Sequence, residues 1–316
     1  MSSTTAVPMP AIAPARGPFR LAVAMLVVTT VTILWGAMTT STGSGLAYLD
    51  WPRSDGQLMP ESSYTTLPGF LEHFHRLFGA LAGALSLSLA LWLQLGRARG
   101  GYALEAASRT AWFGLGLIIV QGVIGGVGVL KGLPAITSVT HGTLAQLTLA
   151  TFSWIAYQLS GRYQTTAPVR TVRPGSGRTI VMAALVVLVA QTVIGAVARH
   201  TNDETALWTH VANAFVVFLA ATIATAFAVG RFREVEGIQG LSRAIIGLLM
   251  LQIALGFVAL MIRNDAGKTP ENVANLGTAL VISVHVLFGA LLTTLMATLA
   301  AHVYRASRAP ASRDLA

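Results

Sequence analysis

Apolar stretches of about 20 residues, the length that spans a bilayer, recur eight times along the chain. They fall at roughly 21–38, 71–95, 110–130, 137–159, 179–198, 206–229, 243–262 and 277–301. Polar residues gather between them. The pattern predicts an all-α integral membrane protein with eight transmembrane helices.

The apolar blocks carry an internal repeat. The second, fourth, sixth and eighth each hold one histidine with a small residue four positions on: His75 and Gly79, His141 and Ala145, His210 and Ala214, His285 and Gly289. The odd blocks share Gln-x-x-x-Gly at 121–125, 191–195 and 252–256, with Thr32 and Gly36 at the matching place in the first. Two pseudo-symmetric four-helix bundles follow, at 21–160 and 179–301, joined by a basic cytoplasmic linker at 161–178. Four spans in each half give both halves the same orientation, as in parallel repeats. The glycines read first as packing residues, because small side chains let helices approach closely.

Composition agrees with this picture. The 316 residues are 54% hydrophobic and 10% charged, with a mean hydropathy of +0.66; soluble domains carry about 25% charged residues. A net charge of +9 raises nucleic acid as a partner, but the placement of the charge answers it. With the N-terminus cytoplasmic, fifteen of the 21 Lys and Arg lie in cytoplasmic segments and five outside, a positive-inside bias. The expected partner is lipid, with no nucleic acid. Residues 1–20 and 302–316 are then cytoplasmic. The first of these, rich in Ala, Pro, Ser and Thr, is expected to be disordered and lacks the apolar core of a signal peptide. The absence of cysteine excludes disulfides and thiolate metal sites.

All four repeat histidines lie within about two turns of the outer ends of their helices, so they share one depth. Intramembrane ionisable groups are costly and usually mark function. Paired imidazoles from neighbouring helices suit a haem iron, and a small residue one turn on leaves room for the porphyrin. A pair per repeat points to two sites: two haems, or one haem and a haem-like substrate. A single four-histidine zinc site is the weaker alternative. Propionates would point outward to Arg76, Arg199, Arg263 or Lys268. His73 points about 200° away from His75 and is expected at the interface. His200 is expected in an outer loop and His302 near the cytoplasmic end; all three are weak ligand candidates.

"TGSGLAYLDWP" (42–52), "LEHFHRLFG" (71–79), "QGVIGGVGVLKGLP" (121–134) and the four histidines resemble the haem A synthase family. The resemblance runs from about residue 21 to 301 and is strongest in the first half. It implies oxidation of the C8 methyl of haem O to a formyl group. It implies that His75 and His141 flank the substrate iron, that His210 and His285 ligate a haem b cofactor, and that Glu72 is the acidic residue of the reaction site. A haem O synthase as donor and a terminal oxidase as acceptor are implied partners, in a bacterial cytoplasmic membrane. Three departures stand out. Tyr48 and Ser54 occupy places where many members carry a cysteine pair, Leu49 replaces a proline, and Val211 follows His210 where arginine is common. Glu72 lies one turn before His75 on the same face and could accept protons, or serve only as an acid near the helix start. The segment 42–52 is expected to cover the substrate haem, with Trp51 at the membrane interface. The competing readings are a di-haem cytochrome b that passes electrons, and a haem carrier without catalysis.

Overall fold

The computed structural model describes residues 16–166, 169, 174–266 and 275–307. Most of the expected N-terminal segment, residues 167–168 and 170–173 of the linker, Lys268 and the tail beyond Ser307 lie outside the described residues. Helix α1 runs Arg16–Ser41, so the helix begins inside the segment expected to be disordered. It is followed by α2 (Ser62–Thr65), α3 (Leu67–Leu130), α4 (Ala135–Leu159), α5 (Gly161–Thr165), α6 (Pro174–Thr201), α7 (Glu204–Phe232), α8 (Ile238–Ala266) and α9 (Leu276–Ala306). Helix α3 contains two spans, Leu67–Gly96 and Glu105–Leu130. They form a hairpin: Ser108 Oγ donates to Gln94 Oε1 at 3.3 Å across 14 positions, which in a straight helix would stand about 21 Å apart.

Among the described residues, seven helical spans are long and apolar enough to cross a membrane, and the chain is a multi-pass membrane protein. The expected eighth span, 137–159, is present as the 25-residue α4 but is not among the seven. Its sequence explains why. Thr137, Ser138, Thr140, His141, Thr143, Gln146, Thr148 and Thr151 lower its hydropathy. Most of those groups find partners within the protein, though the Thr143 hydroxyl is buried without one. Thr140, Thr148 and Thr151 each donate to the carbonyl four residues back at 2.7–2.8 Å. From Thr148 onward α4 is largely buried, packed against α1, α3, α6 and α9. A helix enclosed by other helices does not need a lipid-facing stripe.

Two large apolar clusters lie one in each half of the chain. Met25, Leu89, Leu93, Leu115, Phe152 and Ile155 belong to the first. Leu188, Val217, Phe232, Ile245, Leu249 and Met296 belong to the second. A small cluster of Ile33, Leu149 and Ala290 joins α1, α4 and α9 between them.

Local chemistry sets the links that position the site. Thr66 caps α3 by accepting from Gly69 N at 3.2 Å, and Asp203 caps α7 by accepting from Ala206 N at 2.7 Å; such caps satisfy otherwise orphaned amides. The tight link from α3 to α4 places Gly132 at φ +72° and Leu133 at +58°, a left-handed pair in which glycine is at ease.

Candidate functional site

The four repeat histidines stand six to nine residues into their helices, about 9–14 Å from the helix starts. The structure brings them together as two pairs. His75 and His141 have ring centroids 6.1 Å apart at 77°, and His210 and His285 lie 6.3 Å apart at 80°. Among the described residues, no group of three or more His, Asp or Glu could hold a metal ion, so the four do not converge on one ion.

Each histidine sits in a socket made by the preceding odd span. A Cβ on Gly36, Gly125 or Gly195 would stand 2.6–2.8 Å from Cε1 of His75, His141 or His210. Any side chain there would displace the imidazole. At Gly256 the gap to His285 is 3.1 Å. Four residues before three of these glycines, a backbone carbonyl faces the histidine Nδ1: Thr32 O to His75 at 3.1 Å, Gln121 O to His141 at 3.1 Å, Gln191 O to His210 at 3.2 Å. The carbonyl can only accept, so Nδ1 donates and Nε2 carries the lone pair. This is the tautomer a metal-binding histidine needs. Gln121 and Gln191 also close the loop, each Nε2 donating at 2.9 Å to the backbone carbonyl of the histidine it orients. The Gln-x-x-x-Gly repeat is thus a histidine socket as well as a packing motif.

His285 departs from the pattern. Its Nδ1 is buried without a partner, and its Nε2 lies 3.4 Å from Gln252 Nε2. The Gln252 amide also fills the space expected to be open beside Gly289, while Gly79 has nothing within 4 Å.

The pairs fit a haem iron. Two metal–nitrogen bonds of about 2 Å, plus about 1.1 Å from nitrogen to ring centre on each side, give roughly 6.2 Å between centroids. Buried polar atoms without partners also collect here: Trp35 Nε1 and Gln121 Oε1 near the first pair, Gln252 Oε1 and His285 Nδ1 at the second. Buried polar groups are otherwise almost always paired, so a polar-edged ligand would complete both sites.

The loop between α1 and α2 rests on the first site. Glu72 is 3% exposed. One carboxylate oxygen accepts from Tyr48 N at 3.0 Å, and the other pairs with Arg76. Arg76 in turn donates to the carbonyls of Asp50 at 2.8 Å, Arg53 at 2.5 Å and Tyr48 at 3.1 Å. Asp50 turns the loop by accepting from Asp55 N at 2.9 Å and Gly56 N at 2.8 Å. The Gly56 amide foremost, with Asp55 and the Arg76 charge, holds the Asp50 carboxyl below its usual range. The Trp51 indole lies on Gly126, where a Cβ would overlap it, next to the Gly125 that seats His141.

Several expected positions are revised. His73 does not face the interface: it is 3% exposed, with Nδ1 3.0 Å from Ser54 Oγ and Nε2 3.1 Å from Met59 Sδ. The loop folds over it. Tyr48 and Ser54 are both buried, the Tyr48 hydroxyl 3.0 Å from Ser62 Oγ. His200 lies on the last turn of α6, not in a loop. His302 is buried beside Tyr157. Arg76 spends both terminal nitrogens on the loop and Glu72. Arg199 ties α6 to α1, its Nη2 donating to Ala37 O at 2.9 Å and Ser41 Oγ at 2.7 Å. Arg263 lies 4.0 Å from Glu204. Asn213, unremarked in the sequence, donates to Gln191 Oε1 at 2.8 Å and completes that glutamine. Its only sequence signal is its place one turn after His210.

Residues 19–209 match the profile of a family described as cytochrome oxidase assembly protein. The match takes in Glu72, His75 and His141 and ends one residue before His210. A haem A synthase from Rhodospirillum centenum is 34% identical over 149 residues, 40% of each chain. Another from Alkalihalophilus pseudofirmus is 31% identical over 144 residues, 44% of this chain and 46% of that one. A third, from Symbiobacterium thermophilum, is 31% identical over 112 residues, 35% and 34%. The chain spans less than half the length of each of these relatives.

Proposed function

The chain belongs to the cytochrome oxidase assembly family that includes the haem A synthases, and from that premise we propose that it oxidises the C8 methyl of haem O to the formyl group of haem A. The observation that carries this reading is an asymmetry. The two histidine pairs have similar ring separations, yet among the described residues the α1–α2 loop packs on the first only. A resident cofactor needs only its ligands, whereas a substrate needs a site that can be entered and closed. His75 and His141 are therefore assigned to the substrate, and His210 and His285 to haem b. Bound haem b supplies one-electron chemistry.

The chain's own residues hold and enclose the substrate. Thr32 O and Gln121 O fix the tautomers of His75 and His141, so both present Nε2 to the substrate iron. Gly36 and Gly125 leave room for the two rings. The loop, held by Glu72 and Arg76, keeps bulk water from the outer end of the site. Glu72 is the nearest acid in sequence to His75, one turn away, and is assigned as proton acceptor for the methyl oxidation. In the resting arrangement its oxygens are held by Arg76 and Tyr48 N, so proton transfer requires the loop to shift. Arg199 and Arg263 remain the candidates for propionates, with Arg76 available when the loop opens. We place α4 as the eighth span, both termini in the cytoplasm of a bacterial cell, a haem O synthase as donor and a terminal oxidase as acceptor.

The near-equality of the two pairs favours one other reading, a di-haem electron-transfer cytochrome. Co-expression with a haem O synthase in a host lacking haem A, followed by chromatography of the extracted haems, separates the two. A haem A peak is expected. Haem B and haem O alone, from a protein carrying two low-spin haems, would establish the cytochrome instead.

A further inference from the structure

At the end of the bundle opposite the histidine pairs, a cavity of about 360 Å³ opens between α4, α5, α8 and α9. Tyr157, His302 and Thr298 form its inner wall, Leu241 an apolar side, and Arg162 and Gly237 its rim. Its size suits a small ligand group. Tyr157 is 7% exposed and His302 2%; their rings pack at 5.0 Å. The Tyr157 hydroxyl is buried; Thr166 stands beside it, but no hydrogen bond of ordinary geometry satisfies it. Gly237 has φ +89°, and the Arg162 guanidinium lies against it, 3.2 Å from where a Cβ would stand. A side chain at 237 would therefore push the charge off the rim. The acid facing Arg162 is Glu236, at 3.8 Å and largely solvent-exposed, so that pair is weak. The neighbouring arginines are engaged within the protein: Arg305 donates to Tyr163 O at 3.1 Å, and Arg178 to Ser307 at 3.0 Å.

We propose that this cavity binds the phosphate group of an anionic phospholipid, with Arg162 and the Tyr157 hydroxyl as donors. A guanidinium and an unpaired buried hydroxyl around one space call for an anion. Basic pockets between spanning helices at a membrane face take lipid headgroups. The cavity lies at the ends of α4 and α9, at headgroup depth. Its apolar side is α8, whose spanning window is only 11% buried, so acyl chains can lie along it. A quinol fits less well as occupant. His302 stands 17 residues along α9 from His285, about 25 Å, too far to pass electrons directly to the histidine pairs.

The test is thermal melting of the full-length protein in nanodiscs of phosphatidylcholine alone, with added phosphatidylglycerol, with inorganic phosphate, and with ubiquinone. Phosphatidylglycerol should raise the wild-type Tm by roughly 2–4 °C. The rise should be lost in Arg162→Ala and reduced in Tyr157→Phe, which removes only an unpartnered hydroxyl. It should persist in Glu236→Ala, which breaks the ion pair but leaves Arg162. An equal rise with inorganic phosphate alone would keep the phosphate site and identify the free ion as its ligand. No rise with either, a rise unchanged in Arg162→Ala and Tyr157→Phe, an equal loss in Glu236→Ala, or a rise with ubiquinone only would each overturn the proposal.

Discussion

Glu72 and Arg76 show how one ion pair can serve two ends. Both are largely shielded from solvent, and together they hold three loop carbonyls and one loop amide. Truncating either would leave the other charge buried and unpaired, a loss of about 3–5 kcal/mol. Truncation therefore cannot distinguish chemistry from folding. Glu72→Gln can. It keeps the shape and one acceptor oxygen but leaves Arg76 without its counter-charge, so retention of the b-type spectrum is the control for folding. The variant should fold and keep its b-type spectrum while haem A formation falls by about 10²–10⁴-fold. Near-normal haem A would reduce Glu72 to a loop anchor. The sequence placed Glu72 one turn before His75, but not the Tyr48 amide 24 residues away that occupies it.

At the scale of elements, the unit is a helix pair: an odd span that offers a carbonyl and a glycine, and an even span that sets its histidine there. The pairs of pairs differ. In the first half Thr32 replaces the glutamine that clamps the histidine backbone, and in the second Asn213 braces Gln191. Substituting His210 or His285 should abolish the stable b-type spectrum, because a resident cofactor loses an axial ligand. Substituting His75 or His141 should spare that spectrum and stop product formation. Identical spectra from all four variants would sink the division into a cofactor half and a substrate half. Groups that hold the far ring nitrogen of a metal-bound histidine typically matter 10–100-fold, which is why the backbone carbonyls of Thr32, Gln121 and Gln191 belong to the site.

For the whole molecule, the decisive element is α4. Among the described residues seven spans are apparent from length and apolarity; α4 sets whether the chain crosses an eighth time. Reporter fusions after Thr165 should read cytoplasmic and fusions near Asn202 extracytoplasmic. Were α4 not to cross, Thr165 would read outside with the α3–α4 link, and Asn202 inside. That outcome would also undo the common depth of the four histidines.

Composition and hydropathy sufficed to make this a multi-pass helical membrane protein, because in a bilayer each helix satisfies its own backbone and each span declares itself locally. The repeat of histidine, glutamine and glycine was equally open to inspection, since it needs only spacing along one chain. Which histidine meets which, the carbonyl that orients three of the four rings, the burial of His73 beneath the loop and the enclosure of α4 depend on contacts between residues far apart in sequence. Tyr48 meets Glu72 across 24 positions, and Ser41 meets Ser283 across 242. No local pattern encodes such distances. They are decided when the helices pack and each buried polar group takes whatever partner the packing brings within reach.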